Sequence, residues 1–363
     1  MVLVYVDDIF AISNDPMKTL NGIQEEFKFK NNEVKPPVMY LGAKLEYQIF
    51  NGVKCWTMSS DKYVNAAIEN IEKKLKSEGR HLPRRADTPM SSSYRPEEDV
   101  SAEPEGTDHT YFQELIGILR WAIELGRIDI MIEVSMLSTH LAMPRSGHLE
   151  QAIHIFAYLK VNPKKTLALD PQHPVYDENQ FSPVADWHDF YRDAKEQIPD
   201  DSPPSRGRMV SMHCFVDADH VSNCITRRSQ TGILTFLKRA PIAWYSKRQN
   251  TVESSTFGSE YIAMKTAVEM LQALRYKLRC FGDPINGPVN VFGDNESVIN
   301  SSQKPEATLS KKNNSIAYHK TREAVASGMI RVAYVNTLLN LADVLTKPLP
   351  KARRDALIDL FMY

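Results

Sequence analysis

The chain opens on two short apolar runs, VLVYV and IFAI, separated by the acidic pair Asp7-Asp8. This pattern predicts a tight hairpin over residues 1–12 with two carboxylates at its tip. Asp15-Pro16 has the form of a helix start with proline in the first turn, and that helix should run to about Phe27. Strands are expected over 38–47 and 53–59, flanking the hairpin signal Asn51-Gly52. Ser60-Asp61 can cap the next helix, in which Ala67, Ile68, Ile71 and Leu75 recur at helical spacing before Gly79. Residues 86–110, rich in Ser, Pro and Glu, read as loop. Three helices should follow, about 111–125, 129–142 and 147–160, with Leu115, Ile118, Leu119 and Ala122 as the apolar stripe of the first.

Residues 209–363 follow a different rhythm. Strands are expected over 211–219, 231–238 and 241–246, then a long helix 256–280, a strand 289–293, a short helix, a helix 311–327, a strand 330–335 and a final helix. Three consecutive strands followed by alternating helices and strands predict a mixed sheet covered by helices, so the fold class is α/β (α+β). Trp244 and Tyr245, in an apolar strand, read as core packing. Between the two parts, 169–208 holds six prolines and scattered acids without apolar period, the composition of a linker. The expected divisions are therefore 1–85, 86–168, 169–208 and 209–363.

Composition adds exclusions. With 42% hydrophobic and 25% charged residues, disordered, collagen-like and coiled-coil classes are out. No window approaches the roughly 18 consecutive apolar residues of a membrane helix, and the opening run meets Asp7 too soon for a signal peptide. The expectation is a soluble, unexported chain with no membrane partner. Cys55, Cys214, Cys224 and Cys280 lack metal-site spacing and read as reduced core thiols. The net charge of -1 hides an asymmetry: 20 basic and 23 acidic residues in 1–168, 4 and 9 in 169–208, and 20 and 13 in 209–363. Only the last part has the footprint of a polyanion binder.

In that basic part, Asp217 lies mid-strand in HCFVDADH, where a charge is costly to bury without a partner, and Asp219 shares its face. Glu260 sits near the start of the long helix, Asp294 ends the strand VNVFGD, and Asp343 in NLADVLTK opens the last helix. Carboxylates at strand ends and helix starts can converge on one sheet edge as the hard oxygen ligands that Mg²⁺ selects. Two such metals about 4 Å apart can activate a water for phosphodiester hydrolysis and stabilise the leaving oxygen. Each acid alone also has an ordinary reading, as an N-cap for Asp294 or Asp343 or as a solvated helix residue for Glu260. Asp7-Asp8 is an adjacent pair whose repulsion favours a cation, although an Asp at a turn is common.

These residues carry a family resemblance. YVDD at 5–8 resembles the palm hairpin of reverse transcriptases, and VMYLGAKLEYQ at 38–48 resembles the following strand that grips the primer terminus, which makes Leu41 and Gly42 nucleic-acid-binding candidates. The stretch 111–160 is similar to the thumb and connection region of copia-type retrotransposon polyproteins. VDADH, RRSQTG, ESSTFGSEYIA, GDNESV, YHKTREAVASG and LADVLTKPLP are similar, in order, to the blocks of the copia-type ribonuclease H. The resemblance implies the end of a truncated reverse transcriptase palm, a helical thumb and connection, then a ribonuclease H-like sheet flanked by helices. It implies that Asp217, Glu260, Asp294 and Asp343 hold two Mg²⁺ ions, with Mn²⁺ fitting the same oxygens, and cut the RNA strand of an RNA/DNA hybrid. Asp7 and Asp8 would be two of three polymerase metal ligands.

The sequence also departs from the family. The third polymerase carboxylate and the fingers would lie upstream of Met1, so the chain alone is not expected to polymerise DNA, and the missing fingers and palm become a candidate partner. The loop AYVNTLLNLAD carries Asn336 and Thr337 where many ribonucleases H have a histidine, leaving His319, beside Arg322, as the nearest accessory candidate. Phe257-Gly258-Ser259 stands where relatives commonly show a shorter, acid-containing version. Localisation by resemblance is cytoplasmic particles and the nucleus.

Arg227, Arg228, Lys247 and Arg248 are the expected phosphate contacts, with Lys238-Arg239 and Lys311-Lys312 as further basic pairs. Hybrid recognition would use the 2′-hydroxyl to tell the strands apart. Two other functions stay open: a catalytically inactive nucleic-acid-binding relic, and a DDE integrase or transposase. The latter wants a Glu about 35 residues after its second Asp, where this chain has Met329 and Ile330.

Overall fold

The computed structural model describes residues 2–6, 8–29, 34–285, 287–309 and 312–363. Strands β1 (Val2–Tyr5) and β2 (Asp8–Ala11) pair antiparallel as a separate ribbon, with Tyr5 opposite Asp8. Asp7 lies outside the described residues. Helix α1 (Pro16–Glu26) starts where Asp15 accepts the Lys18 amide at 3.1 Å. The strand expected over 38–47 is instead a hairpin of β3 (Met39–Tyr40) and β4 (Ala43–Phe50), because Leu41 (φ 52) and Gly42 (φ 92) both take the left-handed conformation and reverse the chain. β5 (Val53–Ser59) pairs with β4 across Asn51-Gly52, as the sequence predicts.

Helices α2 (Asp61–Ser77), α3 (Asp108–Glu124), α4 (Met131–Ser138) and α5 (Ser146–Val161) enclose a core that includes Ile68, Leu75, Phe112, Leu115, Leu119 and Phe156. On α3 the fully buried stripe runs through Ile116, and Ile118, expected in it, packs at the rim. α4 is shorter than expected because a 3-10 turn at Ile128–Ile130 precedes it. β6 (Leu167–Leu169) returns to β5, giving a small sheet of order β3-β4-β5-β6.

The Pro-rich stretch that follows has one short helix, α6 (His188–Tyr191), but it is pinned along its length. Phe181 packs on Phe292 and Ala333, Trp187 lies against the Arg322 guanidinium, and Glu196 takes bidentate pairs from Arg275 and Arg279 at 2.6–2.7 Å.

The C-terminal sheet contains β7 (Met212–Asp219), β8 (Gln230–Leu237), β9 (Ala240–Arg248), β10 (Val289–Gly293) and β11 (Ile330–Tyr334). Its order is β11-β10-β7-β8-β9, antiparallel among β7, β8 and β9 and parallel among β7, β10 and β11. This is the mixed α/β fold expected. Helices α7 (Thr256–Cys280), α8 (Glu296–Gln303) and α9 (Ser315–Ala326) belong to the core that takes Cys214, Val216, Ala218 and Ile233. The other face, with Phe215, Leu234 and Phe236, packs on a 3-10 turn at Leu341–Leu345 and on α10 (Lys351–Ile358).

That second core also contains Ile128 and Leu167, and Trp244 packs on both it and the helical core. Buried polar groups cross the same seam. Arg127 grips Asp129 through two bonds of 2.8 and 2.9 Å, and Arg354 of α10 donates to the Asp129 carbonyl and to the Tyr158 hydroxyl, each at 2.7 Å. Cys55 and Cys214 are buried thiols, but Cys224 and Cys280 are exposed, which corrects the expectation of four core cysteines. Among the described residues no helix is long and apolar enough to cross a membrane.

Candidate active site

Three of the four C-terminal acids meet. Oxygen atoms of Asp217, Glu260 and Asp294 all lie within 4.8 Å of one another. Asp217 comes from the central strand β7, Glu260 from the start of α7, and Asp294 follows the last residue of the neighbouring strand β10, so three elements of one sheet end supply them. Their ordinary role as helix caps is taken by other residues. Ser255 caps α7, Asn295 caps α8 by accepting the Val298 amide at 3.1 Å, and Asn340 caps the 341–345 turn by accepting the Ala342 amide at 3.1 Å. The acids beside these caps are thereby left free for another use.

Two of the three carboxylates are held by the chain. Asp217, 4% exposed, accepts from the Thr346 hydroxyl at 2.5 Å, and Glu260 accepts the Ala218 backbone amide. Burial pushes Asp217 up from 3.8 to about 7, the charges of Asp343 and Asp294 adding to the rise. Burial, with Asp217 and Asp294 alongside, raises Glu260 well above the ordinary carboxylate range. Crowded, desolvated carboxylates of this kind favour a bound proton or a cation, and a donor set made wholly of carboxylate oxygen suits a hard divalent ion.

Asp343 is close enough to raise Asp217 but stands outside the three-acid cluster. It does not open the last helix: it sits in the 341–345 turn, and α10 begins only at Lys351. Its Oδ1 lies 3.0 Å from Lys347 Nζ and its Oδ2 3.1 Å from Arg353. Lys347 also faces the charges of Asp217 and Asp219, which, against the cost of burial, raise its pKa. Asp219, two residues from Asp217 on one face, is itself raised, chiefly by burial.

Gly232 of the RRSQTG block explains how the 341–345 turn comes so near. It stands opposite Asp217 in the β7–β8 register, and a Cβ there would meet Thr346 Cγ2 at 2.6 Å and the Ala342 carbonyl at 2.8 Å. Gly258, in the departure noted before Glu260, has the same quality: a Cβ would meet Glu253 Oε2 at 2.7 Å. Gln249 ties the end of β9 to α7 through bonds to Thr231 and to the Ser259 carbonyl, the residue before Glu260.

The other candidates fall in three places. Arg227 and Arg228 lie in the β7–β8 loop, and Lys247 and Arg248 end β9; the register Asp219–Gln230–Arg248 puts all four at the carboxylate end of the sheet. Arg227 and Lys247 are exposed, while Arg248 is half-buried. His319 and Arg322 are not at the site, which corrects their accessory role. His319 Nδ1 bonds the Tyr191 hydroxyl at 2.7 Å, and buried Arg322 donates to the carbonyls of Ser301, Lys304 and Pro305 while stacking on Trp187. Both hold the Pro-rich strap to the domain. Asp8 is exposed on its ribbon, and Leu41-Gly42 form the β3–β4 turn, with Leu125 3.5 Å from a Cβ placed on Gly42. Lys238-Arg239 turn at the far end of β8, where Arg239 reaches Asp170.

Thr346, Lys347 and Arg353 were not singled out from the sequence. Thr346 and Lys347 lie three and four residues after Asp343, the spacing at which side chains share a helical face, and that is the signal that could have found them.

A five-stranded mixed sheet with acids gathered at one end of its central strands defines the class of site. No protein-family model matches the chain. It is similar over 353 residues, at 26% identity, to the retrovirus-related Pol polyprotein from transposon RE1 of Arabidopsis thaliana, covering 96% of this chain and 21% of that protein. The chain thus spans about a fifth of the length of the first curated relatives it matches. Among solved structures, a foamy viral protease-reverse transcriptase in complex with an RNA/DNA hybrid aligns with 96% of this chain and 37% of its own, at 15% identity and TM-score 0.42. A ribonuclease H1 of Halobacterium salinarum NRC-1 aligns with 42% of this chain and 99% of its own, at 17% identity and TM-score 0.29. The resemblance to copia-type Pol polyproteins read from the motifs therefore extends over nearly the whole chain.

Proposed function

We propose that this chain is a metal-dependent nuclease segment of a retrotransposon Pol polyprotein that cuts the RNA strand of an RNA/DNA hybrid. The observation that carries this reading is the convergence of Asp217, Glu260 and Asp294 within 4.8 Å, with the neighbouring helix caps supplied by other residues. Mg²⁺, which that donor set fits, supplies Lewis acidity at the scissile phosphate when bound. Asp217, Glu260 and Asp294 would hold the first ion, and Asp343, whose charge reaches Asp217, would add the ligand for a second. Thr346 fixes one Asp217 oxygen, and the Ala218 amide aims Glu260. Arg227, Arg228, Lys247 and Arg248 stand at the same sheet end to take backbone phosphates.

The test is cleavage of an end-labelled RNA/DNA hybrid by the purified chain in Mg²⁺, beside Asp294→Asn and beside double-stranded DNA. Cutting confined to the RNA strand and reduced more than about 100-fold by the substitution is expected, since even groups that only orient metal ligands cost 10- to 100-fold. Equal activity of Asp294→Asn, or cutting of duplex DNA alone, would remove the reading.

A further inference from the structure

A cleft of about 210 Å³ opens beside the carboxylates, between the helical region and the C-terminal sheet. Arg95, His140, Asp219, Arg248, Thr346 and Lys347 are among its walls, so five separate stretches of chain bring cations or polar groups to one concavity. Arg95 comes from the loop before α3, Arg248 from the end of β9, and Lys347 from the turn after Asp343. Of these, Arg95 donates only to the carbonyls of Ser92 and Tyr94, at 3.3 and 3.5 Å, among the described residues. Arg248 carries no ion pair there. Arg95 faces the Asp219 charge across the cleft but, among the described residues, neither guanidinium is in an ion pair with a carboxylate, which leaves donors of two forks for a planar or tetrahedral oxyanion.

The walls are built rather than loose. The Arg95 loop is anchored by its neighbours: the Pro96 carbonyl bonds buried His148 at 2.8 Å, and Asp99 takes the Tyr94 hydroxyl at 2.6 Å. Glu97, the acid next in the loop, turns its Oε1 to the Cys224 amide at 2.9 Å and so ties this loop to the β7–β8 connection. Opposite, Ser135 of α4 donates to the Ser246 carbonyl at 2.9 Å and accepts from Gln230 at 3.2 Å, which fixes α4 on the sheet edge. Burial, with His148 and Arg248 nearby, lowers His140 to about 4, so it lines the wall as a neutral group. Asp219 is the acid on the side of the active site, where the charges of both Lys347 and Arg95 face it.

We propose that this cleft is a phosphodiester-binding subsite, in which Arg95 of the helical region and Arg248 and Lys347 of the C-terminal region hold a backbone phosphate of the strand that reaches the carboxylates. The inference rests on the nuclease reading and deepens it: a substrate strand would be gripped across the seam between two parts of the chain. Inorganic phosphate offers the same chemistry, and the test separates the two sources.

Binding of a fluorescent RNA/DNA hybrid to the full chain is measured in EDTA across a salt series, for the unaltered chain, Arg95→Gln, Arg95→Lys and Arg120→Gln, an exposed α3 control. Arg95→Gln should weaken binding roughly 3- to 10-fold and lower the slope of log affinity against log salt by about 1, as for one lost phosphate contact. Arg95→Lys should restore most of the slope, and Arg120→Gln should change neither. Equal affinity and slope for Arg95→Gln and the unaltered chain would overturn the subsite. So would calorimetric binding of inorganic phosphate that depends on Arg95 while hybrid binding does not, since the cleft would then serve a free anion. If the unaltered chain neither binds nor cuts the hybrid, it is the nuclease reading that fails.

Discussion

Asp8 and Asp217 both stand among apolar strand residues within two positions of another aspartate, yet the structure treats them in opposite ways. Asp8 lies exposed on a two-stranded ribbon. Asp217 lies 4% exposed on the central strand of a five-stranded sheet, with Glu260 and Asp294 within reach and a turn packed over it. An acid at a ribbon remains hydrated and costs little. An acid enclosed on all sides carries a desolvation penalty that only a proton, a hydrogen bond or a cation relieves. Enclosure, more than the presence of adjacent carboxylates, is what turns residues of this type into a binding site.

The largest expected effect tests that contrast directly. Between pH 4 and 7 the folded Asp217 keeps its proton up to about 7, while the unfolded chain releases it near 3.8. The folded state then binds more protons, so stability without metal falls as pH rises through this window, and above pH 7 the loss is complete. Asp217→Asn removes it and should raise metal-free stability at pH 8 by about 2–4 kcal/mol, read as a higher midpoint in urea. Added Mg²⁺ should raise the midpoint of the unaltered chain and much less that of the variant. Asp8→Asn should do neither. If the two substitutions behave alike in these measurements, enclosure is the wrong distinction.

Much of this was legible in the sequence. Asp217, Glu260 and Asp294 sit in separate blocks whose spacing says little, but apolar context on both sides of Asp217 and a strand-then-turn position for Asp294 already marked them. Helical and strand periods placed α2, α5 and α7 and all five strands of the C-terminal sheet close to where they lie. What escaped was a left-handed turn and the long-range contacts. The 38–47 run has strand composition throughout, and only the paired left-handed residues Leu41-Gly42 divide it. The Pro-rich stretch has no periodic pattern, so its hold on the domain, through pairs such as Glu196 with Arg275, leaves no local trace. His319 and Arg322 were placed near the site by proximity to a motif, whereas their partners come from that strap.

A smaller effect is expected from Gly232→Ala. The added methyl has no room against Thr346, the Ala342 carbonyl and Leu345, at 2.6, 2.8 and 3.0 Å, and backbone must shift to admit it. Overpacking of this type costs about 1–3 kcal/mol. The displaced turn carries Asp343 and Thr346, so cleavage should fall further than the stability loss alone requires when both are measured at a temperature where the variant stays folded. An equal substitution at exposed Gly22 of α1, where nothing lies within 4 Å of the new Cβ, should leave cleavage unchanged. A loss of stability at Gly232 with full activity would mean that the turn's approach to β7 serves packing alone.

The smallest effect concerns Lys347, whose ammonium is 3.0 Å from Asp343 and sets a fixed positive charge against Asp217 and Asp219. Part of the enclosed negative charge is thereby neutralised from within the chain, whereas among the described residues no cation pairs with Asp8. A divalent cation entering the cluster meets that ammonium as a like charge in a partly desolvated setting, where charges a few ångströms apart interact by more than they would in water. Lys347→Met keeps most of the stem's apolar contact and removes the charge. Mg²⁺ should then bind more tightly, by roughly 3- to 10-fold, equivalent to about 1 kcal/mol, in calorimetric titration at pH 8. The gain should shrink as salt rises, because the lysine side chain is 37% exposed and part of its field is screened. Weaker binding in Lys347→Met would instead show that the lysine holds Asp343 in place for the ion, making it a positioning group and not a competitor.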